Sequence, residues 1–279
     1  MLRHFTHIVS AFFMLSLSGL SACGGDRKTT PDLAKDTLSL EIQKKFPVTL
    51  NKVGEGVWVH TSSYTFPGSK AVPSNGLVIE EADALTLVDT AWGEIATLSL
   101  LEVIKTDLKK PVTKVVLTNH HYDRLAGVDL LEARGATIYT HPETPNQAAK
   151  IGGAVPNTSV AALKSPKSRT KIGSIEVAYP GPGYSSDNLV VYVPAEKILF
   201  AGSAVMGAGS TSLGNVEDAQ TKDWPASLNW VKQTYPDTRL VVPAHGKGSN
   251  LGLINETLSL LAKAVNSRSD KDAPKKDKP

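Results

Sequence analysis

Residues 119–124 read Asn-His-His-Tyr-Asp-Arg and follow directly on the apolar run KVVLT (114–118). Imidazoles and a carboxylate at the carboxyl end of a strand are the ligands an α/β fold presents to a divalent cation. Such a cation activates water for hydrolysis. One His two residues before an Asp is a weak signal by itself, but other chemistry-bearing stretches accompany it. In chain order these are VPSNGLVIE (72–80), LVDTAW (87–92), YPGPGYSSDN (179–188), FAGS (200–203), SLGN (212–215) and PAHGKG (243–248). Histidine is scarce. Apart from His4 and His7 near the start there are only His60, His120, His121, His141 and His245, so any metal site draws on a short set. Cys23 is the only cysteine, which excludes an intrachain disulfide.

Several elements must position these residues. Apolar residues alternate through GVWVH (56–60), GLVIE (76–80) and ALTLVD (84–89), the period of strands. From Gly93 the spacing changes, and Ile95, Leu98, Leu101 and Ile104 mark an amphipathic helix that stops at Lys109-Lys110-Pro111. The strand KVVLT, a helix over 126–134 closed by Gly135, and the strand ATIYT (136–140) follow. After a Pro/Ser/Lys-rich stretch (156–170) the cycle repeats. It runs through SIEVAY (174–179), NLVVYV (188–193), KILFAG (197–202), a helix over Trp224 to Thr234, RLVVPA (239–244) and a helix from Leu253 to Val265. Two halves of similar order predict an α/β fold of two packed sheets flanked by helices.

The 279 residues are 41% hydrophobic and 20% charged, ordinary values for a globular protein. Thirty Lys and Arg against 27 Asp and Glu give a net charge of +3, too small a bias for a nucleic-acid groove. The start pairs a basic residue with an apolar run, Ile8 to Leu20, ending in Leu-Ser-Ala-Cys, which resembles a bacterial lipobox. The expectation is a lipoprotein signal over 1–22 and a lipidated Cys23 as the membrane anchor in the periplasm. A polar tether spans 23–38, the folded domain 39–266 and a disordered polar tail 267–279. Gly24 and Gly25, where an inner-membrane retention signal would sit, point to the outer membrane, and a lipid-tethered monomer is the default.

In their order, the stretches from VPSNGLVIE to PAHGKG resemble the zinc-dependent class B β-lactamases of the metallo-β-lactamase superfamily, first and second subclasses, over roughly residues 46–265. The resemblance implies an αββα sandwich, Zn²⁺ as cofactor and hydrolysis of the β-lactam amide bond. Carried over residue by residue, the three-His metal position falls on Asn119, His121 and Tyr184, and the Asp/Cys/His position on Asp123, Ser203 and His245. Hydroxyl, amide and phenol are poorer zinc ligands than thiolate and imidazole, so one zinc rather than two is expected. The second subclass also has Asn at the first position and works with one zinc. By that analogy Asp123 and His245 bind the ion with Ser203 nearby. His121 then acts as general base or third ligand, and Tyr184 donates a phenol hydrogen bond.

By the same resemblance Asn215 helps hold a substrate carbonyl or carboxylate. Met206 stands where the family has a carboxylate-binding Lys, leaving Lys247 or Lys222 as substitutes. Asp89 matches a buried Asp that orients the metal loop, and a helix N-cap before Trp92 is its other reading. Arg124 pairs with a buried carboxylate. Alternation along an extended segment turns His120 away from whatever His121 faces, so it either supports the loop or becomes a ligand by rearrangement. His60 and His141 are packing residues. Two alternatives stay open: a periplasmic binding lipoprotein whose metal site has decayed, and a metallohydrolase of the same fold acting on another ester or amide.

Overall fold

The computed structural model describes residues 39–272. The expected signal, Cys23, the tether and the last seven residues lie outside them. A helix over 39–45 (α1) leads into the first sheet. That sheet holds β1 (Thr49–Gly54), β2 (Val57–Thr65), β3 (Ala71–Glu80), β4 (Leu85–Val88), β5 (Val112–Val116) and β6 (Thr137–Tyr139), in that spatial order. β1 to β4 are antiparallel neighbours, while β4, β5 and β6 run parallel. The parallel crossovers pass through α2 (Glu94–Asp107), then α3 (Tyr122–Leu125) and α4 (Val128–Glu132). The second sheet has the order β11-β10-β9-β8-β7. It is built from β7 (Ser168–Ile172), β8 (Ile175–Tyr179), β9 (Val190–Val193), β10 (Ile198–Gly202) and β11 (Leu240–Pro243), with α5 (Thr144–Lys150) before it. α6 (Trp224–Thr234) joins β10 to β11, and α7 (Gly252–Asp272) ends the fold.

The apolar pattern explains the layering. Leu77, Ile79, Val88 and Val116 of the first sheet pack against Val177, Val191, Phe200 and Val242 of the second, making the central core. The other faces bury Leu87, Val115 and Leu117 under α2 and α4, and Leu199, Ala201 and Val241 under α6 and α7. The arrangement is the αββα sandwich expected from the sequence.

Three local expectations are corrected. The buried face of α2 is Ala96, Thr97, Leu100 and Ile104, while Ile95 is 49% exposed. Small Thr97 faces Gly127, where any Cβ would collide with it, so the close approach selects that face. Residues 122–132 form two short helices in place of the single helix over 126–134. α7 runs past the expected end at Val265 to Asp272, because 266–272 holds no Gly or Pro and the first Pro after it is at 274.

Candidate active site

The carboxyl ends of β4, β5, β10 and β11 meet the amino-terminal half of β3 at one edge of the sandwich. Asn75 of β3 donates its backbone N–H to the Ala244 carbonyl (2.8 Å) and its amide to the Pro243 (3.0 Å) and Gly246 (2.8 Å) carbonyls. Leu189 N–H donates to the Thr118 carbonyl at 2.7 Å, pinning the 179–188 loop to the same edge.

Beneath this edge lies a buried charge cluster. Arg124, fully enclosed, donates from Nη1 to Asp89 Oδ2 (3.2 Å) and to the Asn75 carbonyl (2.6 Å), and from Nη2 to Asp123 Oδ2 (2.5 Å). Asp89 also accepts from Thr118 N–H and Oγ–H, both at 2.7 Å, and takes a left-handed backbone conformation (φ 59°) at the end of β4. It is therefore the orienting carboxylate and not a helix cap, since α2 starts after Gly93. Complete burial pushes the Asp89 carboxyl up to about 6 against the pull of Arg124. Burial acts the same way on Asp123 but is outweighed, by Arg124 first and then by His245 and His121, which hold its carboxyl below the usual range. Arg124 pairs with buried carboxylates as the sequence predicts.

Above the cluster opens a cleft of about 500 Å³ whose lining includes His121, Asp123, Tyr184, Ser203, Asn215 and His245. Five of the six expected metal positions thus reach it, with Asn215. Asn119 is fully buried behind Ser203. His245 donates Nδ1–H to the Pro73 carbonyl (2.8 Å), which leaves its Nε2 lone pair 3.4 Å from Asp123 Oδ2. Burial, and then Arg124, lower the His245 basicity, and burial with His120 nearby lowers that of His121, so both imidazoles are neutral at neutral pH. Tyr184 packs edge-on against His121 (5.3 Å) and Trp224 (5.6 Å), and burial raises its phenol so that it stays protonated. Asn215 Oδ1 accepts from Glu217 N–H (3.0 Å), which leaves its amide N–H groups free to donate. One wall is aromatic: Phe66 and Trp92 lie 5.7 Å apart, centroid to centroid, and Trp92 lies 5.7 Å from His245.

The family model described as Metallo-beta-lactamase superfamily matches residues 70–245. The chain belongs to the metallo-β-lactamase superfamily. It is 38% identical over 216 residues to a Bacillus cereus protein named Metallo-beta-lactamase type 2, covering 77% of this chain and 82% of that one. Among solved structures, the metallo-β-lactamase of Hirschia baltica superposes with a TM-score of 0.74 at 32% identity, over 77% of this chain and 98% of that chain. A metallo-β-lactamase of Pseudomonas aeruginosa in a mono-zinc form gives 0.74 at 35% identity, over 78% and 96%. Metallo-β-lactamases are metal-dependent hydrolases.

The residues present do not fit the two-zinc centre of the metallo-β-lactamase pattern. Asn119 Nδ2 donates to Ser203 Oγ at 3.1 Å, so two ligand positions satisfy one another, while Tyr184 offers a protonated phenol and Asp123 is already paired with Arg124. Neither Lys247 nor Lys222 lines the cleft, and Met206 lies along it, so no cation replaces the missing Lys.

The expected alternation at 120–121 also fails. Asn119 Oδ1 accepts from His121 N–H (2.9 Å), curling the chain into the start of α3, and the two His rings come to 4.7 Å of each other on one side. Both face Asp218, which the sequence reading did not single out. Its only signal was an acid three residues after Asn215. His60 and His141 are buried packing residues as expected.

Proposed function

We propose that this chain hydrolyses the β-lactam amide bond in the cleft, with one zinc as cofactor. The convergence of His121, Asp123 and His245 on a single cleft, in a chain 38% identical to a named metallo-β-lactamase, carries this reading. When bound, zinc would stabilise the negative charge that develops as the lactam opens.

The chain's own residues supply the rest. The apolar body of the substrate packs on Phe66 and Trp92, and the Asn215 amide donates to its carbonyl or carboxylate. Neutral His245 holds an unprotonated Nε2 beside Asp123 and takes a proton from the attacking water. Water adds at the carbonyl carbon, the C–N bond breaks, and His245 returns the proton to the leaving nitrogen. The Tyr184 phenol donates a hydrogen bond beside His121.

The lipobox-like Leu-Ser-Ala-Cys supports a lipid anchor on Cys23 and a place in the periplasm, at the outer membrane. Palmitate labelling that Cys23→Ser abolishes tests the anchor. The activity is tested by following a penicillin and a carbapenem while zinc is returned to chelated protein. Zinc-dependent turnover that His245→Ala removes supports the proposal. Folded protein with no turnover at any zinc level sinks it and moves the assignment to a binding lipoprotein or a hydrolase for another ester or amide.

A further inference from the structure

Among the described residues, one group of three His, Cys, Asp or Glu side chains brings its ligand atoms within 4.8 Å of one another: His120, His121 and Asp218. Only His121 belongs to the metal positions of the family pattern. His121 Nε2 lies 3.0 Å and His120 Nε2 3.8 Å from Asp218 Oδ2. A tetrahedral zinc with ligand bonds of 2.0–2.1 Å sets its ligand atoms about 3.3 Å apart, between those two separations.

The orientation of His120 is fixed from behind. Its Nδ1 donates to Asp187 Oδ1 at 2.9 Å. Asp187 is fully buried and accepts from the Ser185 hydroxyl (2.8 Å) and the Thr144 hydroxyl (2.8 Å), so it can only be the acceptor in that contact. His120, itself 4% exposed, therefore turns its Nε2 toward Asp218. A carboxylate that holds the far nitrogen of an imidazole is the usual support of a metal-bound His, setting its tautomer and raising its basicity. Asp218 is carried on the turn that Asn215 begins by accepting from Glu217 N–H.

We propose that the chain binds one divalent cation through His120 Nε2, His121 Nε2 and Asp218, with Asp187 positioning His120. The site lies one residue along the loop from the family's, and His120 replaces the imidazole lost at Asn119. Two imidazoles and one carboxylate suit zinc and cobalt over magnesium or calcium. Three protein ligands leave a fourth position open, as catalytic sites do, and His121 places the ion at the wall of the cleft. The inference rests on the one-zinc reading above, but it is tested by binding and not by turnover.

The full chain, freed of metal by chelation, is titrated with ZnCl₂ by calorimetry and with CoCl₂ by visible spectroscopy. The wild type is expected to bind one ion. Asp218→Asn, a change at a half-exposed side chain, weakens zinc about 100-fold or more, and Asp187→Asn weakens it roughly 10- to 100-fold, with a changed cobalt d–d spectrum in both. Asp123→Asn and His245→Gln retain the ion. Unchanged zinc affinity in Asp218→Asn, loss of the ion in Asp123→Asn and His245→Gln instead, or no binding by folded wild type each overturns the proposal. Hydrolysis measured on the same samples separates the two readings, because turnover that survives Asp218→Asn leaves the activity standing while the site falls.

Discussion

Asn119 donates its amide to the Ser203 hydroxyl across 3.1 Å, a hydrogen bond between two side chains that both occupy metal positions in the pattern of the family. The bond leaves the two polar groups buried and satisfied, so one ligand position of each zinc site is stable as a hydrogen-bonded pair with no ion between them. Restoring the ligand types at Asn119, Ser203 and Tyr184 together should rebuild the two-zinc centre. The triple variant Asn119→His/Tyr184→His/Ser203→Cys is expected to rise from about one to about two zinc ions per chain by elemental analysis. With cobalt it should show the thiolate charge-transfer band that wild type cannot have. A folded triple variant with unchanged zinc content would show that the geometry, and not the ligand chemistry alone, has departed from the family.

Among the described residues Arg124 is the only cation that pairs with both Asp89 and Asp123, and its side chain has no solvent exposure. Its removal leaves two buried carboxylates without their guanidinium counter-charge, and breaking a buried pair this way costs about 3–5 kcal/mol. Arg124→Met should lower the denaturant midpoint accordingly without changing its slope. Arg124→Lys should recover less than half, since one ammonium cannot reach Asp89, Asp123 and the Asn75 carbonyl with the separate N–H groups that a guanidinium uses. A loss under 1 kcal/mol in Arg124→Met would mean that the carboxylates take up protons or water at little cost.

The sandwich was legible because β4 and β5 carry apolar residues at strand spacing beside loops of fixed order. β7 was not: its sequence Ser-Arg-Thr-Lys-Ile is that of an edge strand with polar residues on its open side, and polar runs read as loop. In the site, the pairing of Arg124 with Asp123 is local, since the two are adjacent in the sequence. The pairing of His121 with Asp218 spans 97 residues and no local spacing encodes it. The alternation expected at His120 and His121 fails because the Asn119 side chain captures the next-but-one N–H and ends the pattern that an extended strand would keep.

Met206 lines the cleft at the position where the family carries a carboxylate-binding Lys, and no Lys or Arg lines it elsewhere. Met206→Lys should therefore lower KM for a carboxylate-bearing β-lactam roughly two- to five-fold, the worth of a partly exposed ion pair, with kcat little changed. The gain should shrink as salt is raised from low ionic strength. A change in KM that salt does not alter would assign the effect to packing against the neighbouring apolar side chains.

His60 on β2 is fully buried, and its Nε2 reaches the carbonyls of Val88 (3.3 Å) and Asp89 (3.2 Å) behind the charge cluster. Gly76 on the neighbouring strand lies against the ring, where any Cβ would collide with Nε2, so the imidazole has no room to move. Burial lowers its pKa from 6.5 to about 4. The unfolded chain thus takes the proton first. The stability that neutral His60 allows is full above pH 6.5 and is lost as pH falls toward about 4, by up to about 3 kcal/mol. Asp89, raised to about 6, acts with the opposite sign over the same window, since its protonation favours the folded state. The wild-type profile is therefore a difference of two titrations, and the comparison with His60→Gln isolates one of them. Unfolding free energies from urea at pH 7.5 and pH 4.5 should fall more steeply in the wild type than in His60→Gln. Parallel profiles would show that His60 is protonated in the folded protein, with its charge taken up by the carbonyls it faces.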